Sequence, residues 1–228
     1  MQLLVSPRSV EEATHSLSAD IIDVKRPEEG SLGANFPSVI RRIRALTTKP
    51  VSAAIGDFDY RPGGASLAAL GAASAGADYI KIGLMFEGNE HAREVIRAVV
   101  HGVKDDYPEK LVVIAAYSDC DRVGSISPHG MVPLAAAEGA DVVMVDTGKK
   151  DGKSTLAFMP EAALGSFIQS AHDHGLRAAI AGGLMFPDIP VLRRVNPDII
   201  GVRGMVCGGD RNAAIRPELV EQVLKMIR

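Results

Sequence analysis

Two lysines, Lys25 at the end of one short apolar run and Lys81 within another, stand where a buried strand has little reason to carry an amine. Because side chains alternate along a strand, Asp23 points to the same side as Lys25. An amine that attacks a carbonyl must be neutral, whereas an unperturbed lysine is almost wholly protonated at neutral pH. Burial and nearby cations lower the pKa of a lysine, and carboxylates raise it. These residue types indicate carbonyl chemistry and leave the direction of the pKa shift of Lys25 open.

Both lysines belong to a short sequence motif that occurs four times along the chain. Each copy opens with a small residue and an aspartate and then runs into β-branched residues; the aspartates are Asp20, Asp78, Asp141 and Asp198. Their spacing of about 60 residues matches two strand-and-helix turns, so the recurrence indicates a repeating βα architecture. When the copies are superimposed, ionisable residues fall three or five places after the aspartate, at Asp23, Lys25, Lys81, Asp146 and Arg203.

Eight apolar runs rich in Val, Ile and Ala are typical of strands in a parallel sheet that is covered on both faces. The runs span 2–6, 20–25, 51–55, 78–83, 111–117, 141–146, 177–181 and 198–203. Helical patterns lie between them, at 10–18 after a capping box of Ser9 and Glu12, from Pro37, after the third strand, at 90–104, at 130–138, from Pro160, at 188–195 and from Pro217. Strands that alternate with helices favour parallel pairing, so we predict a (β/α)8 TIM barrel forming a single domain over residues 1–228.

In a barrel of this kind, the chemistry lies at the C-terminal ends of the strands. The repeated motif predicts that four residues lie near that rim on the even-numbered strands, namely Lys25, Lys81, Asp146 and Arg203. Asp23 is expected one level lower. Further polar residues follow the third and fifth strands, namely Asp57, Asp59, Asp119, Asp121 and Arg122. This concentration favours an active site. The alternative is a Lys–Asp ion pair that only closes the barrel interior.

Glycines cluster in the two loops where TIM barrels often bind phosphate. The residues concerned are Gly182 and Gly183 after the seventh strand, and Arg203, Gly204, Gly208 and Gly209 after the eighth. Glycine lets backbone N–H groups approach an anion closely, and we expect a short helix at 210–214 to present its N-terminus as well. Ordinary turn glycines are the alternative, since 23 of the 228 residues are glycine.

The segment 147–154 nearly matches the phosphate-binding loop of nucleotide-binding proteins. That motif needs a glycine where Thr147 stands, so the loop is one residue short and nucleotide binding is disfavoured. We interpret the segment as a flexible, lysine-rich loop after the sixth strand that brings Lys150 over the site. For Lys149 and Lys153, a solvated charged turn is an equally good interpretation.

Composition excludes several classes of function. A net charge of −3 and 4% aromatic residues provide neither the basic surface nor the stacking platforms of a nucleic-acid-binding protein. No apolar run is long enough to span a membrane, and Cys120 and Cys207 form no spaced framework, so we expect a cytoplasmic protein. The histidines match no zinc pattern, and we expect neither a metal nor an organic cofactor. Cys120 and His129 could pair as nucleophile and base, although a small packing cysteine is favoured.

The ordered motifs of the chain resemble one family of enzymes. They are Asp-Val-Lys-Arg-Pro-Glu-Glu-Gly-Ser-Leu-Gly-Ala-Asn at 23–35, Ile-Lys-Ile-Gly at 80–83, Asp-Thr at 146–147, Lys-Asp-Gly-Lys at 150–153 and Gly-Val-Arg-Gly at 201–204. Over nearly its whole length the sequence is similar to (5-formylfuran-3-yl)methyl phosphate synthase, also called 4-(hydroxymethyl)-2-furancarboxaldehyde-phosphate synthase, of methanofuran biosynthesis. The segment 23–35 carries this resemblance most specifically.

The resemblance implies a lyase that condenses two molecules of glyceraldehyde 3-phosphate into a furan, with loss of phosphate and water. Lys25 matches the Schiff-base lysine of the family and Lys81 its proton acceptor, while Asp23, Asp146 and Lys150 match further catalytic residues. An iminium at Lys25 would acidify the adjacent carbon, and a second amine could take that proton to form an enamine. Two phosphorylated trioses need two anion sites, and Lys150 with Arg203 is a candidate for the second.

Two other functions stay open at this point. One is a different class I (Schiff-base) aldolase that acts on sugar phosphates, and the other is a non-catalytic barrel that binds a phosphorylated ligand. We expect a small phosphorylated triose as the ligand and no nucleic-acid or membrane partner. Association into a homo-oligomer is common among barrels, but no residue pattern here defines such a contact.

Overall fold

The computed structural model describes all residues, 1–228, and contains a closed barrel of eight parallel strands arranged in sequence order. The strands are β1 (Gln2–Val5), β2 (Ile21–Val24), β3 (Val51–Phe58), β4 (Tyr79–Leu84), β5 (Leu111–Tyr117), β6 (Val142–Asp146), β7 (Arg177–Ile180) and β8 (Ile199–Val202). Strand β1 pairs with both β2 and β8, and this closes the sheet on itself. The predicted (β/α)8 fold is therefore confirmed.

Helices follow the strands and cover the outside of the barrel. They are α1 (Val10–Thr14), α2 (Pro37–Arg44), α3 (Pro62–Ser74), α4 (Asn89–Lys104), α5 (Cys120–Val123), α6 (Pro128–Ala137), α7 (Glu161–Asp173), α8 (Ile189–Val195) and α9 (Pro217–Ile227). In α4, Val95, Ile96 and Val99 are fully buried, because apolar residues at helical spacing form one stripe toward the strands. None of the helices combines the length and the apolar character that crossing a membrane requires.

The barrel interior changes from apolar to polar along its axis. Alternate strand residues such as Leu4, Ile21 and Met144 form the apolar interior cluster. At the N-terminal end, Arg177 closes this interior by donating hydrogen bonds to the Tyr79 hydroxyl at 2.9 Å and to the side chain of Gln2. The polar side chains that line the cavity lie at the opposite end, which is the end where TIM barrels carry their chemistry.

The four repeated aspartates fasten the N-terminal ends of the strands. Each carboxylate accepts the backbone N–H of a residue near the start of the preceding strand at 2.7–2.9 Å; the pairs are Asp20 with Leu3, Asp78 with Val51, Asp141 with Val112 and Asp198 with Ala178. The N–H of each aspartate donates in return to the carbonyl of the same residue. We call these four reciprocal pairs the Asp clasps. The aspartate of the repeated motif therefore recurs for a structural reason, because it joins two strands at the end of the barrel opposite to the site.

Three local predictions are wrong. The segment 210–214 forms turns instead of a helix, and a short 3-10 helix lies earlier, at Gly204–Cys207. Strand β3 continues to Phe58, because Gly56 adopts a φ of 135° where the pairing with β4 becomes irregular, so Asp57 lies within the strand. The capping box is half formed: Ser9 accepts the N–H of Glu12 at 3.1 Å, but the Glu12 carboxylate turns away to other partners.

Candidate active site

A buried ion pair joins Lys81 on β4 to Asp23 on β2 inside the barrel. Lys81 Nζ lies 2.8 Å from each carboxylate oxygen of Asp23, and the two side chains are 2% and 0% exposed. The hydroxyl of Ser6 also donates to Asp23 at 2.8 Å. Burial raises the pKa of Asp23, but the cations of Lys81 and Lys25 outweigh it, and the pKa lies below the ordinary value of 3.8. Asp23 is therefore an anion that balances one of the two amines.

Lys25 follows β2 directly and is buried without a carboxylate partner. Its Nζ lies 3.4 Å from the Ser31 carbonyl oxygen, and no acidic side chain approaches it within ion-pair distance. Burial lowers its pKa from 10.5 to about 8; Asp146 opposes this shift, whereas Lys150 and Lys81 add to it. At pH 7 such a pKa leaves about 10% of the amine neutral, compared with about 0.03% for an ordinary lysine. The pKa of Lys25, whose direction of shift the sequence leaves open, is thus lowered, and this favours nucleophilic attack.

Asp146, the last residue of β6, is held by Lys150. Lys150 Nζ lies 2.5 Å from Asp146 Oδ1 and 3.0 Å from the hydroxyl of Thr147, whose N–H also donates to Asp146. Burial raises the pKa of Asp146, and the cations of Lys150 and Lys25 bring it below the ordinary 3.8. Lys150 therefore neutralises the carboxylate that would otherwise stabilise the protonated form of Lys25.

Two loops enclose Lys25, and the rim residues predicted from the sequence hold one of them. The Ser31 hydroxyl, after β2, donates to the Thr147 carbonyl, after β6, at 2.8 Å. Asp119, after β5, accepts the N–H groups of Gly148 and Lys149 at 2.6 and 3.1 Å. Arg122 contacts Asp151 of the same loop at 2.6 Å. The lysine-rich segment 147–154, predicted to be flexible, is thus held through its first three residues and through Asp151.

Asp57 fixes the other loop. Both of its carboxylate oxygens accept the N–H of Leu32, at 3.0 and 3.1 Å, and the buried hydroxyl of Tyr117 donates to the same carboxylate. A Cβ atom on Gly83 would lie 2.0 Å from that hydroxyl, so only glycine allows this arrangement. Asp57 and Tyr117 therefore position the loop whose Ser31 carbonyl faces Lys25. Asp59 and Asp121 are not part of this network.

Gly182 and Gly183 bring the loop after β7 against the loop after β6. Both have positive φ values, 93° and 60°. A Cβ on Gly182 would lie 2.6 Å from the Thr147 nitrogen, and a Cβ on Gly183 would lie 2.6 Å from the Lys153 carbonyl oxygen. This close approach explains both glycines, and their contact with a phosphate stays a prediction.

Arg203, predicted to bind phosphate, is occupied by the protein itself. Its guanidinium forms a two-pronged ion pair with Glu12 at 2.8 and 3.1 Å, and both side chains are buried. Burial raises the pKa of Glu12, and the pairing with Arg203 reverses this and lowers it. The remaining N–H groups of Arg203 donate to backbone carbonyls. Direct phosphate contact by Arg203 is therefore not supported by the geometry, because no N–H donor is left over.

Arg211 is the cation that the sequence analysis missed. It lines the cavity beside Arg203, it is half-buried, and its side chain has no hydrogen-bond or ion-pair partner in the protein. Burial lowers its pKa, and Asp146 opposes the shift. The sequence contains a usable signal, because Arg211 ends a Gly-Gly-Asp-Arg run in the loop after the eighth strand.

These side chains converge on one cavity of about 330 Å³ at the C-terminal ends of the strands. Of the predicted site residues, it is lined by Lys25, Lys81, Asp146, Lys150, Gly182, Gly183, Arg203, Gly204 and Gly209. Asp23 lies beneath it, in contact with Lys81, and Gly208 does not reach it. The two amines on which the sequence argument depends therefore open to a single space.

Cys120 and His129 do not form a nucleophile and base. Burial raises the pKa of the Cys120 thiol, whose hydrogen bond goes to Asp121. The His129 ring packs edge-on against Phe167, with their centroids 6.1 Å apart. No group of three or more His, Cys, Asp or Glu side chains in the structure is arranged so that it could hold a metal ion.

A closed parallel barrel with a lysine- and aspartate-lined cavity at the C-terminal ends of its strands defines a TIM-barrel enzyme. A family model described as 4-HFC-P synthase matches residues 3–224. The (5-formylfuran-3-yl)methyl phosphate synthase of Methanosarcina acetivorans is 58% identical over 98% of both chains, and that of Methanocaldococcus jannaschii is 48% identical over 100% of both. The chain therefore belongs to the 4-HFC-P synthase family.

Solved structures resemble the chain in fold. The 3-hexulose-6-phosphate synthase of Salmonella typhimurium has a TM-score of 0.64 and 21% identity, and each chain covers 100% of the other. KGPDC of Streptococcus mutans has a TM-score of 0.67 and 14% identity over 99% of this chain and 96% of that one. At these identities the likeness concerns the TIM-barrel fold alone.

Proposed function

We propose that this protein is a lyase that condenses two molecules of glyceraldehyde 3-phosphate through a Schiff base on Lys25. The product is 4-(hydroxymethyl)-2-furancarboxaldehyde phosphate, and one phosphate and two waters are released. Membership of the 4-HFC-P synthase family supports the product, and the proposal extends it to the substrate, the mechanism and a role in methanofuran biosynthesis. The protein acts in the cytoplasm on small phosphorylated trioses.

One observation carries the mechanism: Lys25 has a pKa of about 8 and opens to the same cavity as a second amine. A neutral Lys25 attacks the aldehyde carbon, and loss of water gives an iminium. The iminium withdraws electrons from the adjacent carbon and makes its proton acidic. Removal of that proton yields an enamine, which attacks the carbonyl carbon of the second triose phosphate.

Lys81 is the proposed acceptor of this proton, acting together with Asp23. In the resting pair Lys81 Nζ lies 2.8 Å from both oxygens of Asp23, so it must first pass one proton to that carboxylate. The neutral amine can then take the proton from the substrate carbon. Asp146 and Lys150 form a neutral pair that also lines the cavity, and they can move protons during the eliminations.

Reductive trapping tests the proposal. Borohydride added with glyceraldehyde 3-phosphate should increase the protein mass, and peptide mapping should locate the adduct at Lys25. A Lys25→Met variant should give no adduct, whereas Lys149→Met, which removes an exposed lysine of the neighbouring loop, should label as the wild type does.

Product analysis separates this reaction from other Schiff-base chemistry. A class I aldolase would also give a trapped adduct, but glyceraldehyde 3-phosphate alone would then yield no furan absorbing in the near ultraviolet. A binding protein without catalysis would keep its mass after reduction. An adduct at Lys81 or Lys150 would contradict the assignment of Lys25.

A further inference from the structure

Two of the arginines that follow β8, Arg203 and Arg211, line the cavity, and they differ in how the protein uses them. Arg203 donates its N–H groups to the Glu12 carboxylate and to the carbonyls of Ser6, Arg211 and Ala213, at 2.7–3.4 Å. It is 7% exposed. Because every guanidinium nitrogen is engaged, Arg203 has no donor to offer to a ligand.

Arg211 shows the opposite pattern. Its backbone carbonyl accepts the hydrogen bond from Arg203 Nε at 2.7 Å, but its own guanidinium contacts no acceptor of the protein. The side chain is half-buried and lines the cavity. Partial burial of an uncompensated cation is unfavourable, so such a group is best explained by an anion that joins it on binding.

The other cations around the cavity are paired, lie further out or, like Lys25, are assigned to the carbonyl chemistry. Lys81 is paired with Asp23 and Lys150 with Asp146. Lys153 is exposed at the edge of the cavity. Arg211 is therefore the lining guanidinium that is free to form the parallel pair of N–H···O bonds that a phosphate favours.

Glu12 links this loop to the start of the chain. Its carboxylate accepts the N–H of Arg8 at 2.7 Å and that of Ile215 at 3.3 Å, in addition to the two bonds from Arg203. Arg203 bonds to the carbonyls of Arg211 and Ala213, whereas Ile215 lies at the end of the same loop. The buried pair therefore ties both ends of the segment 211–215 to α1.

We propose that Arg211 binds a phosphate group of the substrate and that the Glu12–Arg203 pair is a positioning device that holds Arg211 at the cavity. The inference rests on the proposed function in one respect, since it takes the substrate to be a phosphate ester. Arg211, and not Arg203, then recognises the ester. Glu12, which lies in α1 near the start of the chain, contributes to substrate binding through Arg203.

Three variants test the role of Arg211. Arg211→Gln should raise the KM for glyceraldehyde 3-phosphate roughly 10- to 100-fold, which is the effect of losing charge-assisted hydrogen bonds. Calorimetric titration with inorganic phosphate should show a similar loss of affinity. Arg211→Lys should recover part of it, because lysine keeps the charge but loses the two-pronged geometry. Arg216→Gln, which removes an exposed arginine paired with Glu218, should have neither effect.

The positioning role requires a coupled measurement. Glu12→Gln should raise the KM in the wild-type background, because the amide cannot accept both bonds from Arg203. In the Arg211→Gln background the same change should add little, since the residue that it positions is gone. A purely structural role for Glu12 would raise KM equally in both backgrounds and would overturn the positioning proposal.

These results are separable from the proposed function. Trapping with unphosphorylated glyceraldehyde, which lacks the anion, should be affected much less by Arg211→Gln than trapping with the phosphate ester. If the wild type forms no adduct with either aldehyde, the Schiff-base proposal fails, while phosphate titration still tests Arg211. Unchanged phosphate affinity and unchanged KM in Arg211→Gln would refute the assignment of Arg211.

Discussion

Replacing Lys150 by methionine should raise the pKa of Lys25. Lys150 lies 2.5 Å from Asp146 and contributes to the lowered pKa of Lys25, whereas Asp146 opposes it. Removal of the cation leaves the Asp146 carboxylate unpaired, and a nearby opposite charge shifts a pKa by about 1 to 3 units. A rise of 1 to 2 units from about 8 would leave roughly 10- to 100-fold less neutral amine at pH 7.

Asp146→Asn should move the same pKa downward, because it removes the anion that favours the charged form of Lys25. Since about 10% of the amine is already neutral at pH 7, the gain in neutral amine there is limited to about tenfold. The two substitutions therefore predict shifts of opposite sign at a single nitrogen, which general loosening of the cavity would not produce.

Reductive methylation of Lys25 with formaldehyde and cyanoborohydride, measured between pH 6 and pH 10 by peptide mass spectrometry, reports its basicity without the substrate. The exposed Lys225 provides the internal reference, and Lys149→Met provides a control that changes the charge of the loop outside the cavity. A wild-type midpoint near that of Lys225, or a midpoint in Lys150→Met that stays constant or falls, would refute the electrostatic reasoning.

Three further predictions concern stability. Lys25→Met should stabilise the protein at pH 7 by about 1–3 kcal/mol, because it removes a buried lysine whose pKa is lowered to about 8. This advantage should shrink between about pH 8 and pH 10.5, where the unfolded wild type binds more protons than the folded one, and thermal unfolding at several pH values measures it. Asp23→Asn should cost about 3–5 kcal/mol by leaving the Lys81 cation buried and unpaired, and Asp23→Asn/Lys81→Met should cost less; equal losses in denaturant titrations would contradict this reason. Gly83→Ala should cost about 1–3 kcal/mol, and a Tyr117→Phe background should reduce the cost, since the added methyl group meets the Tyr117 hydroxyl at 2.0 Å; a cost unchanged in that background would argue against the clash.

The barrel could be predicted because its signals are local and repeated. Each strand is a continuous apolar run, and most of the helices have a stripe or a proline at their start, so neighbouring residues suffice to define them; the short α5 has neither and was not predicted. The convergence of Lys25 and Lys81 followed from the same repetition, since they lie five and three places after the repeated aspartate, on two adjacent levels of the same side of the even strands. The repeat also contained the Asp clasps, although their hydrogen bonds become visible only in three dimensions.

The features of the site that could not be predicted depend on partners that are distant in sequence. Ser9 and Glu12 match a capping box, but the Glu12 carboxylate pairs with Arg203, 191 residues away. No local pattern indicates that this pairing engages the guanidinium of Arg203 and leaves Arg211 free. The segment 210–214 has a plausible helical start, yet its carbonyls at Arg211 and Ala213 are taken by Arg203.

The pKa of Lys25 shows why charge could not be settled from the sequence. Burial, two cations and two carboxylates act on it in opposing directions. Their balance depends on which carboxylates are already paired, and that is a property of the folded cavity. The residue types identified the candidate amine, whereas the sign of the shift required the geometry.

The Asp clasps divide the barrel into four βαβ modules, because each one joins an odd strand to the next even strand and never crosses a module boundary. A cut in the connection between α4 and β5 would leave two complete clasps in each half of the molecule. The first half would keep the amines of Lys25 and Lys81, and the second would keep Asp146, Lys150 and Arg211. Each half would thus keep its own Asp clasps but only some of the site residues, so activity would be restored only when the halves reassemble.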